Sequence, residues 1–154
     1  MTYWDKKLMR EQLDRKLKTL SVLLSPTLPE NGWIKIIREA LGMSGKDLGK
    51  RIGLDQSRIS RLETAELSGD AKLSSLRKVA EGLNMKFVYG FVPKGSLEMM
   101  VREQARKIAQ ERMAKVSHTM LLEAQELPDE DKARMFDDLV QKILIEQPRD
   151  FWDQ

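Results

Sequence analysis

The 154-residue sequence has no cysteine, a single histidine and few aromatic residues, which make up 6 % of it. Without cysteine there is no disulfide framework, no thiolate nucleophile and no thiolate-ligated zinc or iron–sulfur site. His118 alone cannot build a multi-histidine metal site and leaves little for general-base chemistry near neutral pH. No Gly-rich phosphate loop and no nucleophile with an adjacent base is visible, so neither an enzyme nor a cofactor is expected. No uncharged apolar run approaches the roughly 18 residues of a membrane span. The first ten residues carry charges where a signal peptide needs an apolar stretch. A cytoplasmic protein without a membrane partner is expected. What is present is charge, 33 % of residues, and enough apolar side chains, 41 %, to bury a core without staples.

The charge is unevenly spread. Residues 1–20 carry six basic and three acidic side chains, and residues 33–92 carry eleven and seven. Residues 94–126 are nearly balanced, with six and five, whereas 127–154 carry four basic and eight acidic. A basic front and an acidic tail point to a polyanion-binding part joined to another module, although solvated helix faces give the same pattern.

Periodicity divides the chain into a mainly α protein. Leu13, Leu17, Leu20 and Leu24 recur at steps of four, three and four, which predicts one apolar stripe on a helix over about 5–24. Two prolines and Asn31-Gly32 then mark a linker. Short helices follow over Trp33–Leu41, ended by Gly42, over about 45–52, capped by Ser44 and ended by Gly53, and over about 56–63, capped by Asp55. Thr64 to Ala71 reads as a loop, and Ser74 as the cap of a helix reaching Leu83. Met85 to Val92 is rich in aromatic and β-branched residues and predicts one short β-strand, which needs a partner. Ser96 caps a predicted helix from about 97 to 126, and Pro128-Asp129 opens a last helix with Phe136, Leu139, Val140, Ile143 and Leu144 inward. The expected organisation is an N-terminal helix and linker over 1–31, a helix-turn-helix domain over 32–84, a strand over 85–93 and a helical region over 94–154, with the strand and the long helix as the two candidates for dimerisation. The three tryptophans, Trp4, Trp33 and Trp152, are expected as packing anchors.

The informative segment runs from Leu41 to Glu63. Two short helices flank Gly53-Leu54-Asp55, and Leu48, Ile52, Leu54, Ile59 and Leu62 can close one small core. That is the spacing of a helix-turn-helix, whose second helix fits a major groove. The stretch over about 35–83 resembles the Cro/repressor (Xre-type) DNA-binding family, through Gly42-Met43-Ser44, Leu48, the Gly53 turn, Gln56-Ser57 and Arg61-Leu62-Glu63. The resemblance places Gln56, Ser57 and Arg61 at the groove. Gln56 suits adenine N6 and N7, Arg61 suits guanine O6 and N7, and Ser57 reaches a base edge or a phosphate. Arg58 is assigned to phosphate, Lys46 to phosphate at a helix N-terminus, and Lys50 to the backbone more weakly. Arg38 and Glu63 match positions that form a structural ion pair in this family. Gly45 stands where many members carry a phosphate-clamping glutamine, so that contact is expected to be absent. The common glycine after Glu63 is missing too, and Glu66 and Asp70 make the following loop less basic than usual.

A wider resemblance covers about 10–125. It is carried by Leu13-Asp14-Arg15-Lys16-Leu17, Gly32-Trp33-Ile34, Ile37 to Ser44, Phe87-Val88-Tyr89, Val92 to Glu98, Val101 to Ala105 and His118-Thr119-Met120. On these the chain resembles the mobile mystery protein A family. That implies an autorepressing antitoxin encoded beside a Fic-domain toxin, binding double-stranded operator DNA as a homodimer and so associating with the bacterial nucleoid. Fic inhibitors often carry Ser/Thr, three residues, Glu, then Gly or Asn. Thr119 and Glu123 match the start of that pattern, while Ala124 departs from its end. Two alternatives stand beside this one: an interaction protein whose main task is holding the toxin, and an unpartnered phage-type repressor.

Overall fold

A computed structural model of the chain describes residues 1–115, 122 and 127–153. The described residues form seven α-helices, α1 (Tyr3–Lys18), α2 (Trp33–Ala40), α3 (Gly45–Ile52), α4 (Gln56–Ser68), α5 (Leu73–Gly82), α6 (Leu97–Ala114) and α7 (Asp129–Glu146). They fall into two compact units, one of residues 22–90 and one that joins residues 1–21 to 91–154.

The central unit is made by helices that start and stop on local signals. Ser44 and Asp47 form a capping box at α3, the side chain of each bonding the other's backbone N–H. Asp55 accepts from the Arg58 N–H at 2.8 Å and opens α4. Gly53 ends α3 in the left-handed region at φ 70°. Between them, Gly49 is required by contact. A Cβ there would stand 2.3 Å from the Leu54 carbonyl oxygen, so only glycine lets the turn close over α3. The core holds Ile34, Leu48, Ile52, Ile59, Val79 and Leu83, with Ile37, Leu54, Leu62 and Leu76 around it.

The second unit gathers the chain ends. Val101, Ala105, Ile108 and Ala109 of α6 pack with Val140, Ile143 and Leu144 of α7. The alanines let the two helices approach closely. Phe151, 1 % exposed, fills the same core from beyond α7, and Gln104 Nε2 donates to its carbonyl at 2.7 Å. The segment after α7 is therefore docked by one aromatic anchor and one buried hydrogen bond.

Several expectations are corrected. The first helix stops at Lys18, and a 3-10 turn over Ser21–Leu24 follows. Of the leucine stripe, Leu13 and Leu24 are exposed and Leu17 and Leu20 half-buried. The half-buried side is Tyr3, Lys6, Arg10, Asp14 and Leu17, because the surfaces of α6 and α7 offer polar partners to it. Arg10 Nε meets Glu98 at 2.7 Å, Lys6 Nζ donates to Gln147, and Asp14 accepts from the Leu97 N–H at 2.8 Å.

The short β-strand over 85–92 is absent among the described residues. Among the described residues no segment completes a ladder with it, so it runs without regular structure. The 97–126 helix ends at Ala114, with Lys115 as its C-cap. His118, Thr119, Glu123 and Ala124 lie outside the described residues. Trp4, Trp33 and Trp152 are 68, 46 and 56 % exposed, so none is a buried anchor. No helix among the described residues is long and apolar enough to cross a membrane.

Candidate nucleic-acid interface

The candidate interface is the outer side of α4. Ile59 is buried and Leu62 half-buried, which fixes the helix's rotation. At 3.6 residues per turn the opposite arc carries Ser57, Ser60, Arg61 and Thr64, with Gln56 flanking it at the first position of the helix; all five are exposed. Amide, hydroxyl and guanidinium groups thus stand on one convex helix side free of acidic residues. A major groove admits such a helix, and these groups match the donor and acceptor edges of bases.

Each predicted contact residue has a definite position. Gln56 is the first residue of α4 and leans over the start of α3, where a Cβ on Gly45 would be 3.4 Å from Gln56 Cγ. Glycine at 45 therefore leaves that space to the root of Gln56. Ser57 Oγ donates to Asp55 Oδ1 at 2.9 Å. Its proton is committed there, which leaves the hydroxyl oxygen as an acceptor. Arg58 points past Asp55, 4.0 Å away, and joins Arg61 in lining a shallow groove of about 330 Å³ with Leu54 and Ser75. Lys46 is exposed in the first turn of α3 and Lys50 in its last, on a different helix from the α4 arc.

Two glutamates on the inner side of α4 hold it against α2. Arg38 Nε donates to Glu63 Oε1 at 2.8 Å, and the same guanidinium reaches the Met43 carbonyl at 2.9 Å. Both side chains are 13 % exposed, so the pair is largely shielded from solvent. One turn on, Glu66 accepts from the Trp33 N–H at 2.9 Å and from the Ile34 N–H at 3.0 Å. Gly32 provides no side-chain cap for α2, and Glu66 supplies the missing acceptor from across the core. A Cβ on Gly32 would meet Glu66 Oε2 at 2.8 Å, and Gly32 also sits at φ 76°. The α2 helix is thus fastened near both ends to α4.

Sequence reasoning missed this second clamp because it ended α4 at Glu63 and placed Glu66 in a loop. The helix continues to Ser68, with Gly69 as its left-handed cap at φ 82°. Glu63 and Glu66, three residues apart beside Leu62, were the available signal for a continuing inner face. The extension adds Thr64 to the outer arc, its hydroxyl bonding back to the Ser60 carbonyl at 3.1 Å. The next helix also starts earlier, with Lys72 rather than Ser74 at its N-cap and no side-chain cap bond.

The capping carboxylates are acidic groups beside this interface. Hydrogen bonds from the Arg58 N–H and the Ser57 hydroxyl hold Asp55 below the ordinary carboxylate value of 3.8. The Ser44 hydroxyl and N–H do the same for Asp47. Both stay ionised at neutral pH, where they complement the helix N-termini.

Residues 34–89 match the sequence profile of the helix-turn-helix family HTH_3. No curated protein and no solved structure matches the chain significantly. Residues 34–89 are therefore an Xre-type helix-turn-helix domain, a DNA-binding module of transcriptional regulators, and α3 and α4 lie within them.

Proposed function

We propose that this protein is a sequence-specific, autorepressing DNA-binding regulator that reads an inverted-repeat operator as a homodimer. The observation that supports the reading is the exposed side of α4, where Ser57 and Arg61 lie on the outer arc and Gln56 flanks it at the helix start, on a helix clamped from behind by Glu63 and Glu66. Gln56 and Arg61 each offer two hydrogen-bonding atoms to one purine edge, which gives base discrimination. Arg58, Lys46 and Lys50 contribute phosphate attraction, which positions the domain without reading sequence. Two copies related by a two-fold axis would place their α4 helices in successive major-groove turns.

The test is fluorescence anisotropy on the gene's own upstream DNA against a scrambled duplex, at two salt concentrations. Gln56→Ala and Arg61→Ala should each cost about 1–3 kcal/mol on the operator and little on the scrambled DNA. Lys46→Ala should weaken both duplexes alike and lower the salt slope by about one ion. Equal weak binding of the unaltered protein to both duplexes, lost with salt, would reduce the interface to phosphate attraction.

The resemblance to the mobile mystery protein A family supports a second role, antitoxin to a Fic-domain protein, with Thr119 and Glu123 as candidate inhibitory residues. Co-purification with the product of the adjacent gene, and its loss in Glu123→Ala, tests that role.

A further inference from the structure

Residues 85–90 and the groove beside them form an open apolar surface of the central unit. The Met85 N–H donates to the Ala80 carbonyl at 2.8 Å. Beyond it, among the described residues, no hydrogen bond reaches the backbone from Lys86 to Val92. Phe87 and Tyr89, two residues apart, stack with ring centroids 6.1 Å apart and planes at 21°, the same-side placement of an extended chain. Met85, Phe87 and Val88 line an apolar groove of about 290 Å³ with Trp33, Ile37 and Leu76. Val88 and Tyr89 are 66 and 59 % exposed, and Met85 and Trp33 are about half exposed.

We infer that a second copy of this chain covers this surface, residues 86–90 of the two copies pairing antiparallel about a two-fold axis at Val88. The inference rests on the dimeric reading above and assigns its interface. Three observations select a second copy. The first is self-complementarity, which an isologous contact demands. In this register Phe87 faces Tyr89 of the second copy, Lys86 faces Gly90 and Val88 faces Val88. Aromatics meet aromatics on one face, and no like charges stand opposite each other. The second is area. Trp33, Met85, Val88 and Tyr89 leave on the order of 500 Å² of apolar surface open per copy, so two copies reach the roughly 1,000 Å² that a specific interface needs. The third is continuity. A bare two-stranded ribbon is marginal in water, but here the ribbon adjoins the groove in the same unit, so pairing and apolar burial act together. The backbone groups left open by the monomer would then gain partners.

The absence of cysteine makes the test clean. Single-cysteine variants at each position from 86 to 90 are oxidised without DNA and resolved on a non-reducing gel, beside sedimentation of the unaltered protein. The expected result is a dimer, with cross-linking greatest for Val88→Cys. A double variant, Val88→Lys with Tyr89→Lys, should halve the sedimenting mass, a roughly twofold fall, while its helical circular-dichroism spectrum holds because both side chains are exposed in the single chain. An unaltered protein that sediments as a monomer at sub-millimolar concentration overturns the inference. So does a dimer that survives the double variant, or one whose cross-linking has no maximum at 88. If the lysine variant does not fold, the cysteine series still decides. Binding of the monomeric variant to a single half-site is read separately. Its loss there would count against the DNA reading, whereas a dimer that binds no DNA would leave the interface standing.

Discussion

The two units are both helical, yet they hold together by opposite means. The central unit is built from 69 consecutive residues, 22–90, and its helices are set by caps, left-handed glycines and two glutamate clamps. The other unit joins the two ends of the chain. It relies on interlocking small and large side chains, with Ala105 and Ala109 against Ile143 and Leu144, and on polar contacts that seat α1. No residue of α1 is fully buried, so this helix is fixed by directed bonds rather than by an apolar face. The contrast shows why the DNA-facing unit tolerates an exposed polar α4: its orientation is secured from the inner side, leaving the outer side free for chemistry.

The largest effect expected from breaking this contrast is at Gly49. Gly49→Ala drives a Cβ into the Leu54 carbonyl and should cost at least about 3–4 kcal/mol. Hydrogen exchange resolved by residue should show the loss in residues 22–90 and spare the α6–α7 core. Uniform loss across both units would mean that they unfold as one. The reciprocal change is Phe151→Ala, which empties the core from beyond α7 and should cost about 3 kcal/mol by chemical denaturation. Leaving Gln104 without a firmly seated carbonyl adds to that cost.

A smaller effect sharpens the clamp argument. Glu63→Gln leaves the Arg38 charge largely buried with a neutral partner and should cost about 2 kcal/mol. Operator affinity should fall along with stability, since α4 loses one of its two fastenings. Unchanged affinity at unchanged fold would show that Glu66 suffices to hold the helix.

The smallest effect concerns pH. The Asp55 carboxyl is held below its ordinary value of 3.8 in the folded chain, so its contribution is present above that value and fades as pH falls through the folded one. Asp55→Asn keeps an acceptor for the Arg58 N–H. It should leave the neutral-pH melting temperature nearly unchanged and flatten the acid side of a melting-temperature profile.

The sequence by itself determined the helices of the central unit whose signals are local. Ser44, Gly53 and Asp55 fix the ends of α3 and the start of α4 through bonds to residues within a few positions, so they can be read without the fold. The buried set around Leu48, Ile59 and Val79 follows from the same periodicity. Only the tertiary structure decided the rest. The inward side of α1 is polar because its partners, Glu98, Gln147 and the N–H groups of α6, lie about 80 to 140 residues away, where periodicity carries no information. The α4 helix runs past Glu63 because Glu66 finds the uncapped start of α2 across the core. Residues 85–92 have the composition of a strand but no ladder among the described residues, because a strand is defined by a neighbour and the described residues provide none there. A cap is a contract between adjacent residues and is written in the sequence, whereas a docking face is chosen by whatever the fold brings opposite it.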